Sequence, residues 1–484
     1  MAGEYKSPFS GRFASSQMRG VYSEDRFHAG LREIWYSLAK AQHAFGVVSD
    51  QELDDIEHYA DPSHIDTERI RDIDREIRHD ITAALRHYAE QATVGGGKLH
   101  LGGTSRDPQD NLDIMRAHEA SDITITRLVN ALDSWKPLIK TYADKPTVSW
   151  THYQPAGFIT VGYRFANYAQ GLLIGLRLLE TVKASFLKGK GFKGIDGSSA
   201  GYNFVLEGKG TPEDMEEFIS KDLGLEFFPV TTQIYPRVVD YITLGALASV
   251  AAVSSKFASD LRFLSSPLLG EVDKKPEEKK VGSSDAPWKI YNPTNAERIN
   301  ALAAYVLGLP PIAGTNVITD PFEGAVQDSA NRRIIIPEGF LATDHILMEY
   351  DYILQNLEVW DSVIERNVEA YGGFMGIREV IAKATEKGGN RQELHERLGR
   401  YSKDSWNEFK KTGRNPFPQY VLDDEMVGQY LSREELERIL NPNLDPSHHT
   451  GTSSQKTRRF IEKDLDPVLD RYKERLGIHV HPEF

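Results

Sequence analysis

In VGSSDAPWK, Val281 to Lys289, two adjacent serines and a lysine directly follow the charged run DKKPEEKK. A serine hydroxyl acts as a base only when its alkoxide is stabilised, and the means at hand are Gly282, backbone amides and the Lys289 ammonium. The same residues also suit a plain solvated loop. A second candidate is WTHYQPAG, where Thr151 and His152 lie in an irregular, proline-braced segment at the entrance to a long apolar stretch. Such a segment either presents an imidazole to a ligand or simply turns the chain. In KLHLGGTSRD, His100 precedes a Gly-Gly turn that would let backbone approach a ligand. Thr104 and Ser105 then stand at a helix start, suited to a carboxylate or to capping alone. His79, before Asp80 in IRHDITAAL, falls in a stretch read as helical, where a histidine is packed, solvated or functional. GIDGSSAG (194–201) reads as a turn open to a ligand. In QDSANRRIII, Ser329, Asn331, Arg332 and Arg333 offer either salt-bridge partners or a clamp for phosphate or carboxylate.

The elements that must position these groups read as overwhelmingly helical. From Phe340 to Val368 apolar residues recur in steps of three and four, one face over about seven turns. Phe158 to Leu187 and Asp240 to Leu264 behave alike, the latter rich in alanine that permits close helix approach. Helices this long need partners along their length, so a bundle completed by other subunits is expected. PTVSW (146–150) is a short strand signal. Punctuation at GGGKLHLGG and YGGFMG divides the chain into 1–114, 115–370 and 371–484.

The chain contains no cysteine, which excludes disulfides, thiolate nucleophiles and cysteine-ligated metals. With 57 Lys+Arg against 71 Asp+Glu the net charge is −14, a poor match to nucleic acid but no bar to a small basic pocket. No leader pattern opens the sequence, and its most apolar window, Tyr241 to Leu264, is interrupted by Lys256, Asp260 and Arg262. A soluble, cytoplasmic protein with no membrane contact is expected.

RHD (78–80), HLGGTS (100–105), THYQPA (151–156) and GSSDAPWKIYNP (282–293) occur in an order that resembles the fumarase/aspartase superfamily. TTQIYPR (231–237), DSANRR (328–333), GGNRQELHE (388–396) and DPSHHTG (445–451) make the chain similar to its adenylosuccinate lyase family. The resemblance implies an all-α, three-domain fold whose long helices complete a 20-helix core in a homotetramer, with sites shared between subunits. It further implies anti β-elimination of fumarate from a succinylated purine nucleotide, without metal or organic cofactor. On that reading Ser283 is the general base, while Lys289 and Asn292 stabilise the dianionic intermediate. His152 is the general acid, oriented by Glu297, and His79 and His100 line the pocket. Thr104, Ser105 and Gln233 bind the succinyl group; Arg12, Arg298, Ser329 and Arg333 hold the phosphate and sugar, and Thr151 and Phe13 are further substrate contacts.

Several positions depart from the family pattern. Ala286 replaces its methionine, and Ile290-Tyr291 fill a gap where the family has one residue. Phe13 replaces a tyrosine, and Gly324 stands where close relatives place an arginine. A fumarate-releasing lyase with another amine, of argininosuccinate or specialised type, and a catalytically silent homologue are the alternatives. The charged run 273–280 is expected to act as the arm of a closing loop.

Overall fold

The computed structural model describes residues 5–276, 285–289, 291–441 and 446–483. Among them, five long helical segments form a central bundle. They are Arg106–Thr141, Val161–Ser185, Val238–Leu264, the broken pair Thr294–Leu307 and Leu309–Thr319, and Ser329–Gln355. The first has 36 residues, which at 1.5 Å per residue makes it about 54 Å long. Four of the five meet at one aromatic cluster. Trp135 lies 5.2 Å from both Phe165 and Phe257, and Phe257 lies 4.6 Å from Tyr350, between ring centroids. The buried Trp135 indole donates to the Tyr350 hydroxyl at 3.1 Å, so the polar handle is satisfied inside the core. Close approach is set by small residues: a Cβ on Gly339 would fall 2.6 Å from Leu244 Cδ2. The fourth segment breaks at Gly308 because Pro310 and Pro311, lacking N–H groups, start a new helix rather than continue the old one.

The apolar face that reads as continuous from Phe340 to Val368 belongs to two helices, Ser329–Gln355 and Asp361–Met375. Between them Leu357–Val359 pairs antiparallel with Val272–Lys274. The Lys275 N–H bonds the Asn356 carbonyl at 2.8 Å, and the Trp360 N–H bonds the Glu271 carbonyl at 2.9 Å. This non-local pairing diverts the chain although both pieces pack on the same core. Asp273 is buried within that strand, so the charged run is not solvated at its start. Gly372 and Gly373 of YGGFMG lie inside helix Asp361–Met375 and let Pro418 approach, where a Gly373 Cβ would be 2.8 Å from Pro418 Cγ.

Three apolar cores are formed by the described residues. One runs through the bundle and takes in Met18 from the N-terminal side and Phe460 and Leu469 from the C-terminal side. The second surrounds Trp35 and Tyr88 but includes Phe192, Tyr202 and Met215 from later in the chain. The third, from Val380 to Leu440, is contained in the C-terminal helices. By length and composition alone Val238–Leu264 and Thr294–Thr319 could cross a membrane. Over half of the first helix's apolar window (56%) is covered by its neighbours, against 33% for the second, which leaves Ile312, Val317 and Ile318 exposed.

Candidate active site

The HLGGTS turn is held from beneath by one carboxylate. Asp107, fully buried in the first turn of Arg106–Thr141, accepts from the Thr104 N–H at 2.9 Å and the Tyr202 hydroxyl at 2.8 Å, and pairs with the equally buried Lys190. Its other oxygen accepts from the Gly194 N–H at 3.3 Å, which fastens GIDGSSAG to the same turn. Left-handed backbone at His100 (φ 61°) and Gly102 (φ 85°) makes the bend. The Trp35 indole donates to His100 Nδ1 at 3.3 Å, which places the proton of the neutral ring on Nε2. Burial holds this imidazole below its ordinary pKa, opposed by Asp107 and assisted by Lys190. Ser105 occupies the N-cap position of the 36-residue helix without a side-chain capping bond.

Beside this turn lies a buried ionic lattice. Arg237 grips Asp110 with two bonds of 2.9 and 3.1 Å and Asp328 with a third of 2.6 Å. Arg106 reaches Asp328 at 3.3 Å, and Arg332 bonds Asp240 at 2.6 Å, Asp113 at 3.2 Å and the Tyr235 hydroxyl. The lattice fixes three segments against one another: 106–113, 235–240 and 328–332. Burial would raise the Asp110 carboxyl, but Arg237 and Arg332 outweigh it and keep the group below the usual range. The two arginines therefore differ in setting, although both form ion pairs. Arg332 is the buried salt-bridge partner, while Arg333 is half exposed beside Ser329 at the first turn of Ser329–Gln355. Sequence reading missed Asp107, Asp110, Lys190, Arg237 and Asp328. The signal was the spacing of Asp107, Asp110 and Asp113, three residues apart on one helical face.

His79 is not within a helix. Arg78 ends Thr67–Ile77 with φ 57°, and His79 is the N-cap of Asp80–Gln91, its Nδ1 accepting from the Thr82 N–H at 3.2 Å. Asp80 then pairs with Arg333 at 2.7 Å, which brings His79 to the Ser329 end of the lattice. Gln233 reaches the same region through its N–H to the Glu323 carbonyl at 2.9 Å. Next to it Gly324 has φ 139°, and a Cβ there would lie 3.3 Å from Gln233 Cβ. A cavity of about 690 Å³ opens at this end, lined by Phe9, Tyr22, Gln109, Arg116, Ser329 and Arg333.

Arg298 lies elsewhere. It pairs with the fully buried Glu349, which also accepts from Asn295 at 2.5 Å and lies 3.3 Å from His345 Nε2. Burial raises the Glu349 carboxyl, yet these neighbours together hold it below the usual range. The Phe13 ring packs 4.9 Å from His345, and the Ala14 N–H donates to His345 Nδ1 at 3.3 Å, so exposed Arg12 borders this second cluster. Arg333 and Glu349 are 16 residues apart on one helix, about 24 Å along its axis.

The segment entering Val161–Ser185 is a hairpin, Pro146–Thr151 against Gln154–Thr160. His152 (φ 55°) and Tyr153 (φ 56°) form its two-residue tip, a left-handed turn matched to the strand twist and exposed together with Thr151. A bulge at Ser149/Trp150 accommodates Pro155, which has no N–H for the ladder. The Tyr153 ring rests 4.8 Å from Phe263, and Glu297 lies 3.9 Å from Arg262. Hairpin tip and Glu297 thus flank one helix end, but the partner of Glu297 within a chain is Arg262 rather than His152. Ser283 and Ile290 lie outside the described residues. Past them, the Asn292 side chain folds back to the Lys289 carbonyl at 3.1 Å, and Lys289 closes a turn onto Ala286. Among the described residues no group of three or more His, Asp or Glu side chains is arranged to hold a metal ion.

The family model described as Lyase matches residues 7–308, and that described as Adenylosuccinate lyase C-terminus matches 373–460. Adenylosuccinate lyase of Saccharomyces cerevisiae is 31% identical over 98% of this chain and 97% of its own. The chain belongs to the adenylosuccinate lyase family. Another member, from Pyrococcus abyssi, is 28% identical over 97% of this chain and 99% of its own. Two solved structures share the family's all-α fumarase-type fold. Fumarate lyase from Mesorhizobium sp. BNC1 superposes with a TM-score of 0.82 at 22% identity, over 95% of this chain and all (100%) of that one. The 3-carboxy-cis,cis-muconate lactonizing enzyme from Pseudomonas putida gives 0.81 at 23% identity, covering 94% and 98%.

Proposed function

We propose that the chain is a carbon–nitrogen lyase that releases fumarate from adenylosuccinate to leave AMP. By the same chemistry it would act on the related succinylated imidazole carboxamide ribotide of purine synthesis. The observation that carries the reading is the anion cradle at the start of Ser329–Gln355. Ser329 and Arg333 stand at a helix N-terminus, which favours phosphate, and the Arg106–Asp328 pair at 3.3 Å ties that end to the Thr104-Ser105 helix start, which suits a carboxylate.

In this reading Ser283 takes the Cβ proton and Lys289 and Asn292 stabilise the resulting aci-carboxylate. The electron pair forms the Cα=Cβ bond as the C–N bond breaks, and His152 protonates the departing nitrogen. The assignment of Arg298 to the nucleotide requires assembly, because the axial distance between Arg333 and the Glu349 cluster exceeds what one small molecule bridges along a single chain. Exposed Ile312, Val317 and Ile318 on the bundle support self-association, and a homotetramer with shared sites satisfies both observations.

The direct test mixes purified protein with adenylosuccinate and follows fumarate and AMP; absence of turnover would sink the proposal. A second reading, elimination from a different succinylated amine, is favoured by Gly324, which contributes no cation beside Gln233. Fumarate release from argininosuccinate and not from adenylosuccinate would establish it.

A further inference from the structure

The hairpin that carries His152 and the segment that leads to Ser283 are rooted on one buried side chain, Glu271. This residue is completely inaccessible and directly precedes strand Val272–Lys274. Its Oε2 accepts from Arg164 Nη1 at 3.0 Å and from the Thr147 hydroxyl at 3.3 Å. Its Oε1 accepts from Asn367 Nδ2 at 2.9 Å. Arg164 continues the connection, donating through Nη2 to the Val148 carbonyl at 2.6 Å. Thr147 and Val148 belong to the first hairpin strand, five and four residues before His152. On the other side, the Glu271 carbonyl accepts from the Trp360 N–H at 2.9 Å, which fixes the strand from which the Ser283 segment departs.

A carboxylate is expensive to bury unless its lone pairs are used, and this one spends its bonds on three different elements. Its bonds go to the hairpin, to helix Val161–Ser185 and to helix Asp361–Met375. The hairpin needs such an anchor because its tip is exposed and both tip residues are left-handed non-glycines, a conformation that persists only where the surroundings over-determine it.

We propose that Glu271 is a positioning residue that holds the root of the acid-bearing hairpin and the root of the base-bearing segment on one scaffold, so that each is presented rigidly to the site it serves in the assembly. The inference rests on the lyase reading above for the roles of His152 and Ser283, but the anchoring itself is open to a measurement without turnover.

Hydrogen–deuterium exchange would compare full-length wild type with Glu271→Gln, which keeps the shape and removes the charge opposite Arg164. Exchange should quicken by about tenfold or more in peptides covering both 146–160 and 271–275, the scale of one lost charge-assisted hydrogen bond, while the 380–440 core stays unchanged. In the same variant kcat should fall about tenfold or more with KM within about threefold, because loosened acid and base act on the transition state and not on substrate binding. Unchanged exchange in either segment, or a rise spread evenly over the chain, would overturn the anchor. Should Glu271→Gln fail to fold, Thr147→Val keeps the Arg164 pair and should loosen 146–160 alone; no change there would equally overturn it. If wild-type protein releases no fumarate, the lyase reading falls while exchange still judges the anchor.

Discussion

Arg333 and Asp80 form an ion pair, Nη2 to Oδ2 at 2.7 Å, that joins the N-terminal end of Ser329–Gln355 to the first residue of Asp80–Gln91. The arginine side chain is 52% exposed and stands next to Ser329, so it is available to a phosphate at the cost of a pair that contributes little to stability. Arg333→Ala should therefore raise KM for a nucleotide substrate about 10- to 100-fold, the loss of one or two charge-assisted hydrogen bonds. Thermal unfolding should shift by less than about 1 kcal/mol equivalent. Steady-state kinetics beside a melting curve check both halves.

The acid partner has its own signature. Burial raises the Asp80 carboxyl, but the bond to Arg333 and its charge outweigh burial, so the folded-state value lies below the ordinary one. A depressed carboxyl stabilises the fold fully above its unfolded pKa of about 4 and loses that contribution as pH falls through the folded value. The difference in unfolding midpoint between wild type and Asp80→Asn should be constant above about pH 5 and shrink below about pH 4. A difference that instead changed between pH 6 and 8 would contradict the pairing.

Breaking the lattice is a different matter. Asp110 is fully buried and takes two bonds from Arg237, itself 2% exposed. Asp110→Asn leaves that guanidinium under-compensated in the interior and should cost about 3–5 kcal/mol, read as a large drop in urea midpoint or soluble yield. The loss should be much greater than for Arg333→Ala, although both remove one member of an ion pair in the same neighbourhood.

What the sequence made legible, and what it hid, divides along the line between local and non-local physics. The motifs were readable as motifs because several of them occur together in one order along the chain, whereas no single one separated a ligand contact from a cap, a solvated loop or a salt bridge. The roles of Arg332 and Arg333 were not separable, since only the third dimension places Asp113 and Asp240 around one of them. His79 read as helical because Arg78 gives no local warning that it adopts φ 57°. The hairpin was half visible: PTVSW signalled a strand, but its partner, Gln154–Thr160, carries proline and glycine and reads as irregular. The break at 356–360 was hidden because strand Leu357–Val359 exists only by pairing with residues some 85 positions earlier, at Val272–Lys274.

Gly324 combines a glycine-only φ of 139° with close approach to Gln233. Gly324→Ala should cost about 1–3 kcal/mol locally by forcing the backbone out of that region. It should also displace Gln233, whose N–H bonds the neighbouring Glu323 carbonyl. The expected outcome is a raised KM with kcat less affected, measured on whichever succinylated amine the wild type accepts. Unchanged kinetics would separate Gln233 from substrate binding.

The last prediction concerns assembly. Within one chain Glu297 faces Arg262, the His152 tip is solvent-exposed, and Arg298 serves a cluster about 24 Å along the helix axis from Arg333. One chain thus supplies the parts of a site without bringing them together, as a symmetric oligomer with shared sites would require. Ser283→Ala and His152→Ala should each abolish turnover while leaving the oligomer intact, because each removes only a reacting group and the exposed His152 has no part in the buried packing. Co-dissociated and reassembled, the two inactive proteins should regain activity, since some sites then draw an intact serine from one chain and an intact histidine from another. Size-exclusion chromatography would confirm that mixing occurred, and fumarate release would report the outcome. Mixed oligomers that form but stay inactive would mean that acid and base come from the same chain, and the shared-site assembly would have to be abandoned.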